Sequence, residues 1–162
     1  MQTLAKILKQ RLENAARVAI LGVGSELRGD DVAGILAAQR IGRFAKKTKP
    51  ELEVFIGATA PENLTGEIKR FRPTHLIIID SADLESQPGH VALIAPENIS
   101  GTTFCTHSLP LKIIIDYLRQ TFDFELIVIG IQPKTLVATA RPSKEVSRAV
   151  ELLSATITSV LL

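Results

Sequence analysis

Three short apolar runs constrain the fold of this chain more strongly than any other feature of its sequence. They occupy residues 18–23, 75–79 and 126–131, and each is rich in valine, isoleucine or leucine. Continuous apolar runs of this length are typical of strands whose two faces are both covered. The runs therefore predict the central strands of a buried sheet.

Helical periodicity separates these strands. Apolar residues recur at helical spacing in residues 32–47, 62–71, 109–118 and 142–161, and weaker strand patterns cover 52–56 and 91–95. Strands that alternate with helices form parallel sheets with helices packed on both faces. We predict a single-domain, three-layer α/β sandwich whose twisted, mainly parallel sheet has about five strands.

The composition is that of one ordinary globular domain, because 162 residues, 46% of them hydrophobic, can bury a sizeable core. We expect one domain over residues 1–162. The net charge is only +2, and the basic residues do not cluster as nucleic-acid binding requires. Residues 4–12 have the pattern of an amphipathic helix, and no apolar run is long enough to span a membrane. We expect a monomeric, cytoplasmic protein that binds no nucleic acid and does not insert into membranes.

Two predicted strands end in acidic residues. In an open α/β sheet, ligands bind beyond the carboxyl ends of the strands. The first strand leads into GVGSELRGDD at residues 22–31, and the run at 75–79 leads directly into Asp80. The glycine spacing is not that of a dinucleotide-binding turn, and the Gly-Lys-Ser/Thr of a phosphate-binding loop is absent. These strand ends therefore argue against a nucleotide site.

Each aspartate at these ends also has a purely structural interpretation. Asp30 precedes a predicted helix, where a carboxylate commonly caps backbone N–H groups, and we expect it to do so. Asp31 either complements the helix dipole or projects over the sheet edge. Asp80 either caps the following turn or binds a metal. The residues alone leave these alternatives open for Asp31 and Asp80.

The third histidine completes a possible ligand set with these two carboxylates. His75 and His90 each open a predicted strand, which places neither of them well for the functional edge. His107 lies between a polar loop and a predicted helix, where an imidazole can point into a cleft. Two carboxylates and one imidazole suit a borderline divalent ion such as nickel or zinc. Cys105 as a nucleophile with His107 as its base is a weaker alternative, because no group is evident to orient the pair.

Five motifs, taken in order, resemble the hydrogenase maturation endopeptidase family, which trims the large subunit of nickel-iron hydrogenases. They are LGVGSELRGDDVAG at residues 21–34, GATAPEN at 57–63, DSADLESQPG at 80–89, TTFCTHSLPL at 102–111 and IGIQP at 129–133. The resemblance runs over nearly the full chain. It is strongest toward the branch that acts on hydrogenases of the formate hydrogenlyase type.

The resemblance implies a catalytic site made of Asp31, Asp80 and His107, which match the residues that contact the metal in the family. It implies a nickel-dependent endopeptidase that removes the C-terminal tail of a hydrogenase large-subunit precursor. The nickel is bound in the precursor, where it acts as the recognition signal. Two alternatives are a maturation chaperone that binds nickel or precursor without cleaving, and an ordinary metallohydrolase with its own ion.

A second implied element is a segment that handles the substrate after the second strand. It matches Gly57, Ala58 and Thr59. Family members usually carry an aspartate and two glycines in this segment, whereas this chain has Ile56, Gly57 and Ala58. The resemblance therefore predicts a substrate loop at residues 57–59 with an altered sequence.

Overall fold

A computed structural model describes residues 1–99, 108–138 and 141–162 of the chain. One five-stranded sheet lies at its centre, with the strands in the order β2-β1-β3-β5-β4. The first four strands in this order are parallel, and only β4 runs antiparallel, along β5. The predicted mainly parallel sheet is confirmed, with strands β1 (Arg17–Val23), β2 (Glu51–Ala58), β3 (His75–Ser81), β4 (Val91–Ile94) and β5 (Glu125–Ile131).

In the described parts of the chain, five α-helices form the outer layers: α1 (Gln2–Arg11), α2 (Ala33–Gly42), α3 (Thr65–Phe71), α4 (Ser108–Arg119) and α5 (Lys144–Leu161). Residues of α1, α2 and α5 form one apolar core with one face of the sheet, and residues of α3 and α4 form a second core with the other face. Successive strand side chains alternate between faces, so Val18 and Ile20 join the first core while Ala19 and Leu21 join the second. The predicted three-layer sandwich is confirmed.

Two predicted helices are shorter than the sequence pattern suggests. The pattern at 32–47 divides into α2 and a separate 3-10 turn, Ala45–Lys47. Gly42 ends α2, in keeping with the low helix propensity of glycine. The pattern at 62–71 divides in the same way into the turn Pro61–Leu64 and α3. Apolar periodicity identifies which face is buried, but it does not distinguish a 3-10 turn from an α-helix.

The last helix begins at Lys144, two residues after the start of the predicted pattern. Ser143 is the N-cap of α5, and its Oγ accepts a hydrogen bond of 3.3 Å from the backbone N–H of Val146. Such a bond satisfies one of the N–H groups left without a partner at a helix start. Within the described parts of the chain, no helix is both long and apolar enough to cross a membrane.

Candidate active site

Asp80 lies inside the protein at the carboxyl edge of the sheet. β3 continues two residues beyond the predicted strand, so Asp80 and Ser81 pair with Gly130 and Ile131 of β5. Asp80 is completely buried. A buried carboxylate is costly unless hydrogen bonds or a cation compensate it. One such bond, of 2.7 Å, is donated by the backbone N–H of Ser81 to Asp80 Oδ1.

Asp31 reaches the same edge from the turn that precedes α2. It lies in a short 3-10 turn and is also completely buried. Two glycines permit this position. A Cβ atom on Gly34 would lie 2.1 Å from the carbonyl oxygen of Ile79, and a Cβ atom on Gly24 would lie 1.9 Å from the carbonyl oxygen of Asp31 itself. Because no larger residue fits at these contacts without a backbone shift, the glycines hold the start of α2 against the strand ends.

Ser81 connects the two aspartates. Its Oγ donates a hydrogen bond of 2.6 Å to Asp31 Oδ1, while its backbone N–H donates to Asp80 Oδ1. One residue at the end of β3 therefore contacts both carboxylates. Ser81 was not predicted as a site residue, although its place directly after Asp80 was the available signal.

The two carboxylates approach the sheet edge from opposite faces. Alternation along β3 directs Asp80 toward the layer of α3 and α4, and it directs Ser81 toward the layer of α2. The bond from Ser81 to Asp31 agrees with this assignment. The space just beyond the end of β3 is therefore where an ion could contact oxygens from both layers.

Asp30 does not cap the helix that follows it, so this prediction was wrong. The 3-10 turn at Gly29–Val32 has no side-chain cap, and neither does α2. The Asp30 carboxylate instead turns away and accepts hydrogen bonds from the backbone of Lys134, Thr135 and Ser143, between β5 and α5. Its side chain therefore joins the turn before α2 to the connection between β5 and α5.

The histidines are distributed differently from the prediction. His75 lies at the amino edge, as expected, since it pairs with Val18 at the start of β1. The placement of His90 was wrong, because β4 is antiparallel and its first residue pairs with Ile131 at the carboxyl end of β5. His90 therefore lies at the carboxyl edge, where it is exposed. His107 and Cys105 lie outside the described residues.

The predicted substrate segment begins inside a strand. Gly57 and Ala58 are the last residues of β2, and only Thr59 follows it. Ala58 has a φ of +45°, a left-handed conformation that costs a residue with a side chain but not glycine. A register shift at Val23 accompanies this conformation. The backbone at this position is therefore of the kind that favours glycine.

Two charged groups border the loop that Asp30 contacts. Lys134 Nζ donates a hydrogen bond of 2.6 Å to Glu145 Oε1. This bond and the Glu145 charge raise the pKa of Lys134. The nearby charge of Asp30 raises it as well. The same bond lowers the pKa of Glu145. Both groups are solvent-exposed, so the pair contributes little to stability.

The chemistry available at the carboxyl edge is that of two acidic oxygen ligands. Carboxylates bind divalent cations, and nickel and zinc usually take additional nitrogen or sulfur ligands. Among the residues that the structure describes, no group of three or more histidine, cysteine, aspartate or glutamate side chains is arranged to hold a metal ion. A nickel or zinc site at this edge would therefore require further ligands in addition to Asp31 and Asp80.

Comparison with known proteins gives a consistent result. A family model described as HycI, hydrogenase maturation protease, matches residues 37–160. A curated protein of Methanocaldococcus jannaschii named as a hydrogenase maturation protease is 35% identical over 138 residues, 82% of each chain. The Escherichia coli K12 hydrogenase 3 maturation protease is 38% identical over 115 residues, 70% of this chain and 71% of that protein. The crystal structure of a NiFe hydrogenase maturation protease from Thermococcus kodakarensis superposes with a TM-score of 0.85 at 26% identity, covering 96% of this chain and 98% of that one.

The fold and these matches define the class of the chain as an α/β maturation protease. Within that class, the chain belongs to the hydrogenase maturation protease family. The family predicted from the ordered motifs is confirmed, and with it the assignment as an endopeptidase.

Proposed function

We propose that this protein removes the C-terminal tail of a nickel-iron hydrogenase large-subunit precursor, and that it recognises nickel already bound in that precursor. Asp31, Asp80 and His107 are proposed to contact this ion. The reaction is proposed to take place in the cytoplasm, with the protease acting as a monomer. The proposal follows from the family, whose named members include the hydrogenase 3 maturation protease of Escherichia coli.

The observation that carries the proposed site is the link through Ser81. Two completely buried carboxylates, separated by 49 positions in the chain, approach one strand end and contact the same residue. Carboxylates without a functional role are seldom buried in neighbouring positions, since each adds a desolvation cost and like charges repel. Their convergence supports a role in binding a cation.

His107 is proposed as the third contact because of its place in the chain. It directly precedes α4, which starts at Ser108 and packs against the turn Pro61–Leu64. That turn follows the carboxyl end of β2, the end at which the sheet edge carries Asp31 and Asp80, and this contact of α4 supports the proposal. A neutral imidazole is a common ligand of nickel and zinc.

The chemical contribution of each group follows from its type. Asp31 and Asp80 supply negative oxygens that favour a divalent cation. Nickel in the precursor can polarise the scissile carbonyl, lower the pKa of a bound water or orient the peptide bond. In each case the protease contributes position, because its own ligands fix where the cation lies relative to the tail.

The surface proposed to receive the precursor is the carboxyl edge around the two buried carboxylates. Exposed apolar side chains stand near this edge. Leu27 is 73% exposed and Val137 is 65% exposed, and they lie on the two loops that Asp30 connects. Apolar side chains at such a surface suit a protein substrate.

The proposal is tested with purified large-subunit precursor, either loaded with nickel or free of it. Mass spectrometry of the precursor after incubation with the protease measures loss of the C-terminal tail. The expected result is tail loss only from the nickel-loaded precursor. Stable binding without mass loss would indicate a maturation chaperone instead.

An ordinary metallohydrolase predicts a different set of results. Such an enzyme would retain its own metal through purification and would cleave the nickel-free precursor as well. Metal analysis of protease purified without added metal therefore accompanies the cleavage assay. The proposal expects less than one equivalent of metal in the purified protease and strict dependence on nickel in the precursor.

A further inference from the structure

Asp30 accepts hydrogen bonds through both carboxylate oxygens, although it is completely buried. Oδ2 accepts from the backbone N–H groups of Lys134 at 2.8 Å and Thr135 at 3.0 Å, and from Ser143 Oγ at 3.0 Å. Oδ1 accepts from the backbone N–H of Ser143 at 2.6 Å. The four donors belong to the connection between β5 and α5, which is more than 100 positions away in the chain. One side chain therefore fixes that connection at both of its ends.

The contact is reinforced from the backbone. The N–H of Asp30 donates a bond of 2.9 Å to the carbonyl oxygen of Thr135. Gly29 packs directly against the same carbonyl group, because a Cβ atom on Gly29 would lie 2.7 Å from that oxygen. Each of the two segments, the turn that carries Asp30 and the connection before α5, thus donates hydrogen bonds to the other.

Asp31 is the next residue in that turn. Its carboxylate accepts the 2.6 Å bond from Ser81 on β3, so its position depends on how the turn is held against the sheet. A displacement of about 1 Å would break a hydrogen bond of this length and can lower the rate of a positioned reaction about a hundredfold. Asp30 ties this turn to the connection between β5 and α5 through its four side-chain bonds and its backbone N–H.

We infer that Asp30 is a positioning residue of the protease, which sets the location of the Asp31 carboxylate by tying the turn before α2 to the connection between β5 and α5. The inference rests on the proposed function, in which Asp31 contacts the nickel of the precursor. Asp30 itself does not contact the substrate. Its effect on cleavage passes through Asp31.

The first test is Asp30→Asn, which preserves shape but replaces one accepting oxygen with an amide that faces backbone N–H groups. On nickel-loaded precursor we expect kcat to fall about tenfold to a hundredfold while KM changes less than about threefold, because the docking surface remains and the reacting geometry shifts. Gly29→Ala acts on the same contact from the opposite side and is expected to give the same split between kcat and KM.

A graded pair of variants tests the contact without removing the charge. Ser143→Ala removes one of the four donors to Asp30 and should lower kcat by about twofold to tenfold, whereas Ser143→Thr retains the hydroxyl and should restore most of the activity. This pair keeps the inference testable if Asp30→Asn fails to fold.

A matched control separates positioning from simple loss of stability. Ser154 is a buried serine on α5 whose Oγ donates to the carbonyl oxygen of Val150, and it belongs to neither loop. Ser154→Ala should lower the thermal stability and leave kcat unchanged. If Asp30→Asn and Gly29→Ala also reduce only stability, or raise KM alone, the inference is wrong.

The same assay distinguishes this inference from the proposed function. Full activity of Asp31→Ala on nickel-loaded precursor would contradict the candidate site and the inference together. An inactive Asp31→Ala beside a fully active Asp30→Asn would contradict the inference and leave the candidate site intact.

Discussion

The polar groups at the two edges of the central sheet differ in how far they are buried. At the amino edge, polar side chains pair in partly or fully exposed positions: Thr74 Oγ1 accepts bonds from the backbone N–H groups of Ala16 and Arg17, and Arg11 forms an ion pair with Glu125 at the surface. At the carboxyl edge, three aspartates are completely buried. The same strands end at both edges, so strand geometry does not account for the difference.

The two kinds of polar group differ in what they cost the folded protein. A hydroxyl that joins neighbouring chain segments stabilises the sheet at little desolvation cost. A buried carboxylate carries a much larger cost, and a protein that needed only to close its sheet could avoid it. We therefore expect removal of the Thr74 hydroxyl at the amino edge to change stability, and removal of the Asp31 or Asp80 carboxylate at the carboxyl edge to change cleavage.

The largest effect on stability is expected at Gly34, which supports the carboxyl edge. Gly34→Ala would place a Cβ atom 2.1 Å and 2.3 Å from two strand carbonyl oxygens, and the required backbone shift should cost about 3 kcal/mol. Urea denaturation measures this loss. Gly66→Ala is the matched control, because a Cβ atom there meets nothing within 4 Å. That variant should be neutral or more stable by up to about 1 kcal/mol, and equal effects of both variants would refute the close contact.

At the amino edge, Thr74→Val should lower the free energy of unfolding by about 1–2 kcal/mol, because it removes the acceptor for two backbone N–H groups. Its hydroxyl also donates to the carbonyl oxygen of Arg17 at 2.9 Å. Thr74→Ser keeps these bonds and should recover most of the loss. Cleavage per folded molecule should be unchanged in both variants. A lower kcat in Thr74→Val would contradict the expectation that the Thr74 hydroxyl affects stability only.

A smaller effect is expected at Ala58, at the carboxyl end of β2. Ala58→Gly should stabilise the protein by up to about 1 kcal/mol, since glycine adopts a positive φ without the cost that a Cβ atom brings. Ala58→Val should have the opposite sign, because β-branched residues tolerate this conformation least. Thermal unfolding of the three proteins gives the order, and a stabilising valine would contradict the left-handed backbone.

The smallest effect concerns His75, whose pKa is lowered from 6.5 mainly by burial, with an opposing contribution from a hydrogen bond to the Arg11 backbone. The unfolded chain binds this proton more readily than the folded protein does. The stability associated with neutral His75 is therefore present above pH 6.5 and is lost as the pH falls below that value and through the folded pKa.

Unfolding free energies at about pH 7.5 and about pH 5.5 measure this effect. The decrease should be smaller in His75→Gln than in the unsubstituted protein. His90→Gln is the matched control, because His90 is exposed, and it should leave the decrease unchanged. An identical decrease in all three proteins would mean that His75 does not contribute.

The sequence predicted the sheet well because its information is local. Continuous apolar runs identify strands covered on both faces, and the rule for parallel sheets then brings Asp31 and Asp80 to one edge. The direction of β4 was not predictable in this way, since a strand of four residues carries no local mark of direction. His90 was therefore assigned to the wrong edge.

The hydrogen-bond partners of Asp30 could not be predicted from the sequence for a related reason. An aspartate before a helix is usually a cap, and nothing in the neighbouring residues indicates bonds to Lys134 and Ser143, which lie 104 and 113 positions away. Contacts of this kind depend on how complete elements pack. They become visible only when the connection between β5 and α5 is placed against the turn before α2.

The most direct test is cleavage of nickel-loaded precursor by four single variants: Asp31→Ala, Asp80→Ala, His107→Ala and His90→Ala. We expect the first three to lose at least about a thousandfold in kcat/KM with the fold retained, and His90→Ala to cleave normally. Normal cleavage by His107→Ala, or by either aspartate variant, would contradict a shared contact of these three residues with the nickel ion.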